Sequence, residues 1–424
     1  MKRKLMMVER IMHVDASTPL NCVFAVKIAG SINPENLHTA LAKVQQKHPL
    51  LRVGIDEEQE GGPYFVTNEY VRSIPVRIAE RLTDNDWLKE SETEWYKLFD
   101  GDNVPLARVV WIRSAAVSEL LLVMPHCVCD GGTCVALLSE ILSLLDNPAQ
   151  ELDTYIPFNS VQELMPDSFD IAKNKRKGRI YSFLGRLFFL LKNTRNKFGT
   201  GRNYAIHWKV DEEQTLAIAE ATKNAGTSMH AALCVAFLKA FQKVRGAKAR
   251  GKLISPVDIR RFIPEIKADT MFAFAPIVEL TIDKKNPNMD FWEQARKIKT
   301  DLTAKIETMN AYEMLWMGEY MHKTVNRMVK FLKSTDGSHD VTLSNMGRLP
   351  IAEKYQNFEV ETIYSPTVAF PWRNPNTLVT TTFKNKMDFT FMSNDNFLEE
   401  TEALKIKDAA MELLFANLQQ LTHA

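Results

Sequence analysis

Apolar and polar positions along the chain switch between two periods, and the switches mark the elements. Residues 22–29 (CVFAVKIA) are a short apolar run rich in β-branched side chains, which predicts a strand. After it, Leu37, Ala40, Leu41 and Val44 recur at helical spacing. Asn33 can cap that helix, and Pro34 suits its first position, whose N–H has no helical partner in any case. His48-Pro49 ends it, because a residue before proline avoids the α region. Residues 50–55 then predict a strand, and Gly61-Gly62-Pro63 a turn. Two further strands are predicted at 106–113 and 119–124, followed by an amphipathic helix marked by Val135, Leu138, Ile141, Leu142 and Leu145. The loop 125–132 is therefore aimed by a buried strand and closed by a helix, a common setting for chemistry.

The second half alternates in the same way. Thr227 or Ser228 can cap a helix running to about residue 244, and strands are predicted at 252–257 and 273–282. A helix follows over 291–309, then a strand at 341–343 leading into Ser344-Asn345-Met346-Gly347, another at 387–392, and a final amphipathic helix over 402–421. No short-period repeat is visible. Mixed strands and helices in both halves predict α/β or α+β layers.

Composition narrows the class. The 424 residues carry 45% hydrophobic side chains, 17 Gly and 18 Pro, which excludes a low-complexity or disordered protein. At this length two or three domains are expected. The net charge of +1 advertises no nucleic-acid partner. Five cysteines (Cys22, Cys127, Cys129, Cys134 and Cys234) make a poor disulfide framework. The basic start MKRKLMMVERIMH has no apolar core typical of a signal peptide, and no window is long and apolar enough to span a bilayer. The expected location is cytoplasmic. One segment stands apart: residues 173–203 hold ten Lys/Arg and no acid, leaving the remainder at −9. A junction is expected there, between subdomains at 1–172 and 204–424. The segment reads as a solvated crossover, as a peripheral contact with an anionic membrane, or as an attractor for anionic partners.

The strongest chemical candidate is His126-x-x-x-Asp130-Gly131. Histidine is the side chain suited to taking a proton near neutral pH. The carboxylate of Asp130 could orient it or anchor the loop through a cation, and a lone histidine beside a strand can equally be structural. His207, His230 and His339 are weaker candidates. A zinc site built from His126, Cys127, Cys129, Asp130 and Cys134 lacks the paired C-x-x-C spacing of common structural sites, so no metal is expected. Neither G-x-S-x-G nor a phosphate-binding glycine loop occurs.

Taken together, the ordered motifs resemble the condensation-domain and chloramphenicol-acetyltransferase-like superfamily, closest to alcohol acyltransferases and polyketide-associated acyltransferases. The resemblance rests on LHTALAKVQQKHPLLRV (37–53), on the HxxxDG pattern at His126–Gly131, on Pro256-Val257-Asp258-Ile259-Arg260, and on Ser344-Asn345-Met346-Gly347. It implies two similar α/β subdomains with a tunnel between them and His126 near its middle. It implies no bound cofactor or metal, and no covalent enzyme intermediate. It also implies a thioester donor, either acyl-CoA or acyl-phosphopantetheine on an acyl carrier protein, and a small-molecule alcohol or amine acceptor. His126 would be the general base, and Asp130 would pair with Arg260 to hold the loop. Gly131 would let the next helix approach, and Ser344 and Asn345 would reach the tunnel as oxyanion donors or simply close a strand. Pro125 stands where peptide-forming condensation domains carry a second histidine, which favours an O-acyltransferase. Gly131 at the fifth position excludes the HxxxxD of glycerolipid acyltransferases. The chain reads as freestanding. The rivals are a catalytically silent binding module that keeps the tunnel, and an amide-forming condensation enzyme.

Overall fold

Two large mixed sheets, each backed by helices, hold the chain together. The computed structural model describes residues 1–422 apart from 31, 58–60, 193–200, 284–285 and 287–288. In the first sheet the strands lie in the order Glu359–Ile363, Asn21–Ala29, Val117–Pro125, Arg108–Arg113 and Val76–Glu80, with Thr367–Val368 also on Asn21–Ala29. The second runs Ile277–Thr281, Lys252–Pro256, Val341–Arg348, Thr377–Phe383, Lys386–Asn394 and Asn203–Val210. A small third sheet joins Lys2–Lys4, Tyr64–Thr67 and Val53–Asp56.

The helix Pro34–Lys47 forms as its spacing predicts. Asn33 Oδ1 accepts from the backbone N–H of Glu35 at 2.7 Å, and Leu37, Ala40, Leu41 and Val44 are buried. It lies beside the helix Gly131–Asp146. The two are tied by charge: Lys47 and His48 both meet Glu140, at 2.6 and 2.7 Å, and Lys47 also reaches Asp269 at 2.8 Å. The His-Pro-Leu-Leu-Arg turn is thus structural. Pro49–Arg52 coils as a single 3-10 turn, so the strand predicted at 50–55 begins only at Val53.

In the second half Ser228 caps Met229–Arg245, accepting from Ala231 N–H at 3.2 Å. That helix is apolar nearly all round because it is packed between the helices Phe291–Glu307 and Glu400–Thr422. The strand predicted at 273–282 is shorter, Ile277–Thr281; residues 273–275 line a cavity instead of pairing.

The chain crosses between the two halves after Val341–Arg348, and Glu359–Ile363 completes the edge of the first sheet. The crossing is anchored in the core. Tyr364 stacks on Trp87 with ring centroids 4.0 Å apart and donates to the buried Glu119 carboxylate at 3.0 Å. Trp95 Nε1–H donates to Thr367 Oγ1 at 3.0 Å. Of the basic segment 173–203, the part up to residue 191 belongs to the helix Ile171–Leu191 rather than an open crossover, and residues 193–200 lie outside the described ones.

Candidate active site

The register of the first sheet builds the site. Asn21 pairs with Pro125 and Cys22 with Met124, so the start of one strand lies beside the end of the other. The chain then turns, with His126 N–H held by the carbonyl of Leu20 at 2.8 Å. His126 Nδ1 lies 2.8 Å from the carbonyl of Cys129. A carbonyl only accepts, so Nδ1 carries the proton and the neutral ring keeps its lone pair on Nε2. The orienting group is therefore a backbone carbonyl of the same loop, not the Asp130 carboxylate.

Asp130 is committed elsewhere. Its Oδ1 caps the helix Gly131–Asp146 by accepting from Thr133 N–H at 2.9 Å and from Thr133 Oγ1 at 3.0 Å. Arg260 grips both carboxylate oxygens, Nη1 to Oδ2 at 2.7 Å and Nη2 to Oδ1 at 2.8 Å. Both residues are buried, and Arg260 also donates to the carbonyls of Thr270 and Phe272 from Nη2 and to Asp258 Oδ1 from Nη1. Burial opposes the charge on Arg260, but the carboxylates of Asp130 and Asp258 outweigh it and raise its pKa. This fork clamps the His126 loop of one half to residues 258–272 of the other. It needs a glycine at 132: a Cβ there would sit 2.8 Å from Arg260 Nη1. At Gly131 a Cβ would meet only the flexible end of Met346, at 3.3 Å, so the tight approach falls one residue later than the pattern suggested.

Between the halves lies a mostly apolar cavity of about 340 Å³. His126, Cys22 and Cys129 line it from the first half, Phe274, Phe331 and Ser344 from the second, and Phe370 packs its ring 5.6 Å from that of His126. Ser344 is on the wall. Asn345 turns to the strand's bulge instead, where its Oδ1 accepts from Gly347 N–H at 2.8 Å and fixes the left-handed turn at φ +68°. His339 also lines the cavity, with its pKa lowered to about 4 by burial and by Arg250. His230 is lowered likewise to about 4 by burial, beside Ser255 and Cys234, and His207 pairs with Asp388 at 2.7 Å.

Sequence reading missed Cys22. Its thiol, the His126 ring and the Cys129 thiol offer ligand atoms all within 4.8 Å of one another. Hydrogen bonding from Cys129, together with the charge of His126, outweighs burial and holds the Cys22 thiol down to about 5. For His126 burial is the largest influence and opposes charging, yet the negative Cys22 beside it prevails and lifts the ring to about 9. Each charge favours the other, a thiolate at Cys22 and an imidazolium at His126. The same trio is a donor set that a soft cation such as zinc could take. It is a different set from the C-x-C-x-x-x-x-C run weighed in sequence, since Cys127 stands outside it.

Comparison with known proteins places the chain in a family. The profile named "Condensation domain" matches residues 12–250, more than half of the chain. The chain belongs to the condensation-domain family. A second profile, "Phthiocerol/phthiodiolone dimycocerosyl transferase C-terminus", matches residues 201–394. Among curated relatives, bacitracin synthase 1 of Bacillus licheniformis is 22% identical over 298 residues, 61% of this chain and 5% of the synthase. A nonribosomal peptide synthetase of Curvularia clavata, kk1B, is 32% identical over 132 residues, 30% of this chain and 1% of that one. The chain thus spans a small fraction of the length of these relatives. Among solved structures, polyketide synthase associated protein 5 from Mycobacterium tuberculosis superposes with a TM-score of 0.69 at 15% identity, over 99% of this chain and 100% of that one. Trichothecene 15-O-acetyltransferase from Fusarium sporotrichioides gives 0.73 at 15% identity, over 98% and 95%. These likenesses show the fold, and membership of the condensation-domain family places the chain broadly among proteins of acyl transfer and condensation.

Proposed function

We propose that the protein moves an acyl group from a thioester to an alcohol, with His126 as general base. The observation that carries the reading is the Nδ1–H bond to the Cys129 carbonyl, which leaves Nε2 as the basic nitrogen of a ring that lines an apolar cavity. An acceptor hydroxyl in that cavity would give its proton to Nε2 as its oxygen attacks the thioester carbonyl. The C–S bond then breaks, and the proton passes from Nε2 to the departing thiolate. Ser344 on the opposite wall would donate to the oxygen that gains charge. Asp130 and Arg260 hold the loop in place and touch neither reactant. The donor is acyl-CoA or a carrier protein's acyl-phosphopantetheine, the acceptor is a small molecule, and no resident cofactor takes part.

Pro125 supports an ester over an amide product, because the position before His126 offers no second ring nitrogen for an amine acceptor. The test is a panel of acyl-CoA and acyl-carrier thioesters with and without added alcohols, read by free-thiol release and by intact mass of the protein. Thiol release that depends on the alcohol supports the proposal. Retention of the thioester without turnover favours a silent binding module, and release only with amines favours an amide-forming enzyme.

A further inference from the structure

The helix Ile171–Leu191 has two contrasting faces. Along 178, 182 and 185 it lies against the helix Ala311–Met321, close enough that a Cβ on Gly178 would stand 2.5 Å from the Tyr320 ring and one on Gly185 2.6 Å from Met321 Cε. Ser182 Oγ adds a bond to the Tyr320 carbonyl at 2.7 Å. Much of the rest of the helix is open to solvent. Eight large apolar side chains between Ile180 and Leu191 are exposed, Leu191 at 78% and Phe183 at 67%. They make up nearly half of all exposed large apolar side chains among the described residues. A soluble surface rarely gathers so many in one place.

Cationic charge is concentrated at the start of the same helix, and Arg186 is the one charge within Ile180–Leu191. Its first turns carry Lys173, Lys175, Arg176, Lys177 and Arg179, and the basic run continues in sequence beyond the apolar end. Lys177 pairs with Glu313; Lys175, Arg176 and Arg179 have no ion-pair partner among the described residues. No acid occurs anywhere in 173–203. The apolar end also adjoins the cavity: Phe188 and Phe189 pack edge-on against Phe331, at 6.2 and 5.5 Å between centroids, and Phe331 lines the cavity that holds His126.

We propose that this helix docks the protein on an anionic lipid surface, with the exposed apolar side chains of Ile180–Leu191 sunk among acyl chains and Arg186 and the cations of the first turns at the head groups. A cation near such a surface strengthens binding by about fivefold, and an apolar face with Lys/Arg beside it lies in the interface rather than spanning it. No helix among the described residues is long and apolar enough to cross a membrane. A lipid surface fits better than a second copy, since a two-fold contact would set two acid-free basic runs against each other. It also fits better than an acidic carrier protein, because at 100° per residue the exposed apolar positions sweep about half the helix circumference, which a fluid can surround and one rigid protein face cannot. Docked so, the Phe331 wall faces the bilayer, and a hydrophobic acyl donor or acceptor dissolved there reaches His126 without entering water. That last step rests on the acyl-transfer reading; the docking does not.

The test is co-sedimentation of the full chain with vesicles of phosphatidylcholine alone or mixed with phosphatidylglycerol, at low and high salt. Two variants accompany the wild type: Phe183→Gln with Leu187→Gln and Leu191→Gln, and Lys175→Gln with Arg176→Gln and Arg179→Gln. The wild type should bind the mixed vesicles, less so as salt rises, and either variant should weaken that binding by about tenfold or more. Circular dichroism should be unchanged in both, and so should turnover of a short, soluble thioester if the acyl-transfer reading holds. A wild type left in the supernatant with mixed vesicles at low salt overturns the proposal. So do variants that bind equally well, or a wild-type dimer that the apolar variant disperses while vesicles go unbound. Loss of turnover on every thioester would sink the acyl-transfer reading and leave vesicle binding as its own result.

Discussion

Asp130→Ala should destabilise the protein through Arg260. In the folded chain the fork is bidentate, at 2.7 and 2.8 Å, and both residues are buried. Removing one partner of a buried pair leaves an uncompensated charge, at roughly 3–5 kcal/mol. Loss of the cap on Thr133 N–H adds to this by about 1 kcal/mol. Arg260 keeps Asp258 Oδ1 at 3.2 Å and the carbonyl of Thr270 at 3.2 Å, which offset part of the loss. The expected net cost is therefore near the low end, about 3 kcal/mol. For a chain of this length unfolding in one transition, that is a fall of about 3 °C in melting temperature, and about twice that if the halves unfold separately. Asp130→Asn keeps a cap oxygen and one acceptor and should cost less. The decisive assay is a double-mutant cycle with Arg260→Met, measured by urea denaturation, with an expected coupling of about 2 kcal/mol. Additive effects within about 0.5 kcal/mol would mean that Asp130 and Arg260 do not act as a pair, and the clamp between the halves would have to be abandoned.

Cys22→Ala should shift the pH dependence of kcat/KM. In the wild type His126 must shed a proton that Cys22 helps it hold, so the acid limb lies above the ordinary histidine value, towards about 9. Without the thiol the negative charge that favours the imidazolium is gone, while burial still opposes it and the Cys129 carbonyl still supports it, so the limb should move down from about 9; an unmoved limb would show that Cys22 does not help the ring hold its proton. Gly132→Ala should cost about 1–3 kcal/mol because Arg260 cannot swing away from the new Cβ, whereas Gly131→Ala should cost less; equal melting of the two variants would contradict the close approach at 132. Ser344→Ala should lower kcat by roughly 10²-fold with melting unchanged if Ser344 donates to the oxyanion, and a variant with wild-type kcat removes it from that role.

Much of the fold was legible because local signals agreed with tertiary ones. The Asn33-Pro34 start, the Leu37–Val44 stripe and the Ser228 cap all specify their elements within a few residues, and all three form. The strand predicted at 50–55 forms only from Val53, because apolar content alone cannot distinguish a 3-10 turn from a strand and the proline at 49 begins the turn. The return of Glu359–Ile363 to the first sheet was invisible, since pairing across more than 300 residues leaves no periodicity to read. At the site, the pairing of Asp130 with Arg260 rested on family resemblance and not on spacing; in the structure Arg260 Nη1 lies 2.7 Å from Asp130 Oδ2. The grouping of Cys22 with His126 was beyond reach, because it depends on the register of Asn21 against Pro125 and nothing local to either strand sets that. The helix Ile171–Leu191 was obscured by its own composition: Ser182, Gly185 and Arg186 interrupt the apolar pattern, yet Ser182 and Gly185, with Gly178, are the small residues that let it pack against Ala311–Met321.

The most direct test of the account is turnover by His126→Ala, measured on the thioester and alcohol pair that the substrate panel identifies, with circular dichroism and melting recorded alongside. The ring's contacts are local to the cavity, a bond to the Cys129 carbonyl and packing beside Cys22 and Phe370, so the variant should fold as the wild type does. Its kcat/KM should fall by about 10²–10⁴-fold. A folded His126→Ala protein that transfers the acyl group at near the wild-type rate would contradict the central claim that the nitrogen at the heart of this cavity moves the proton.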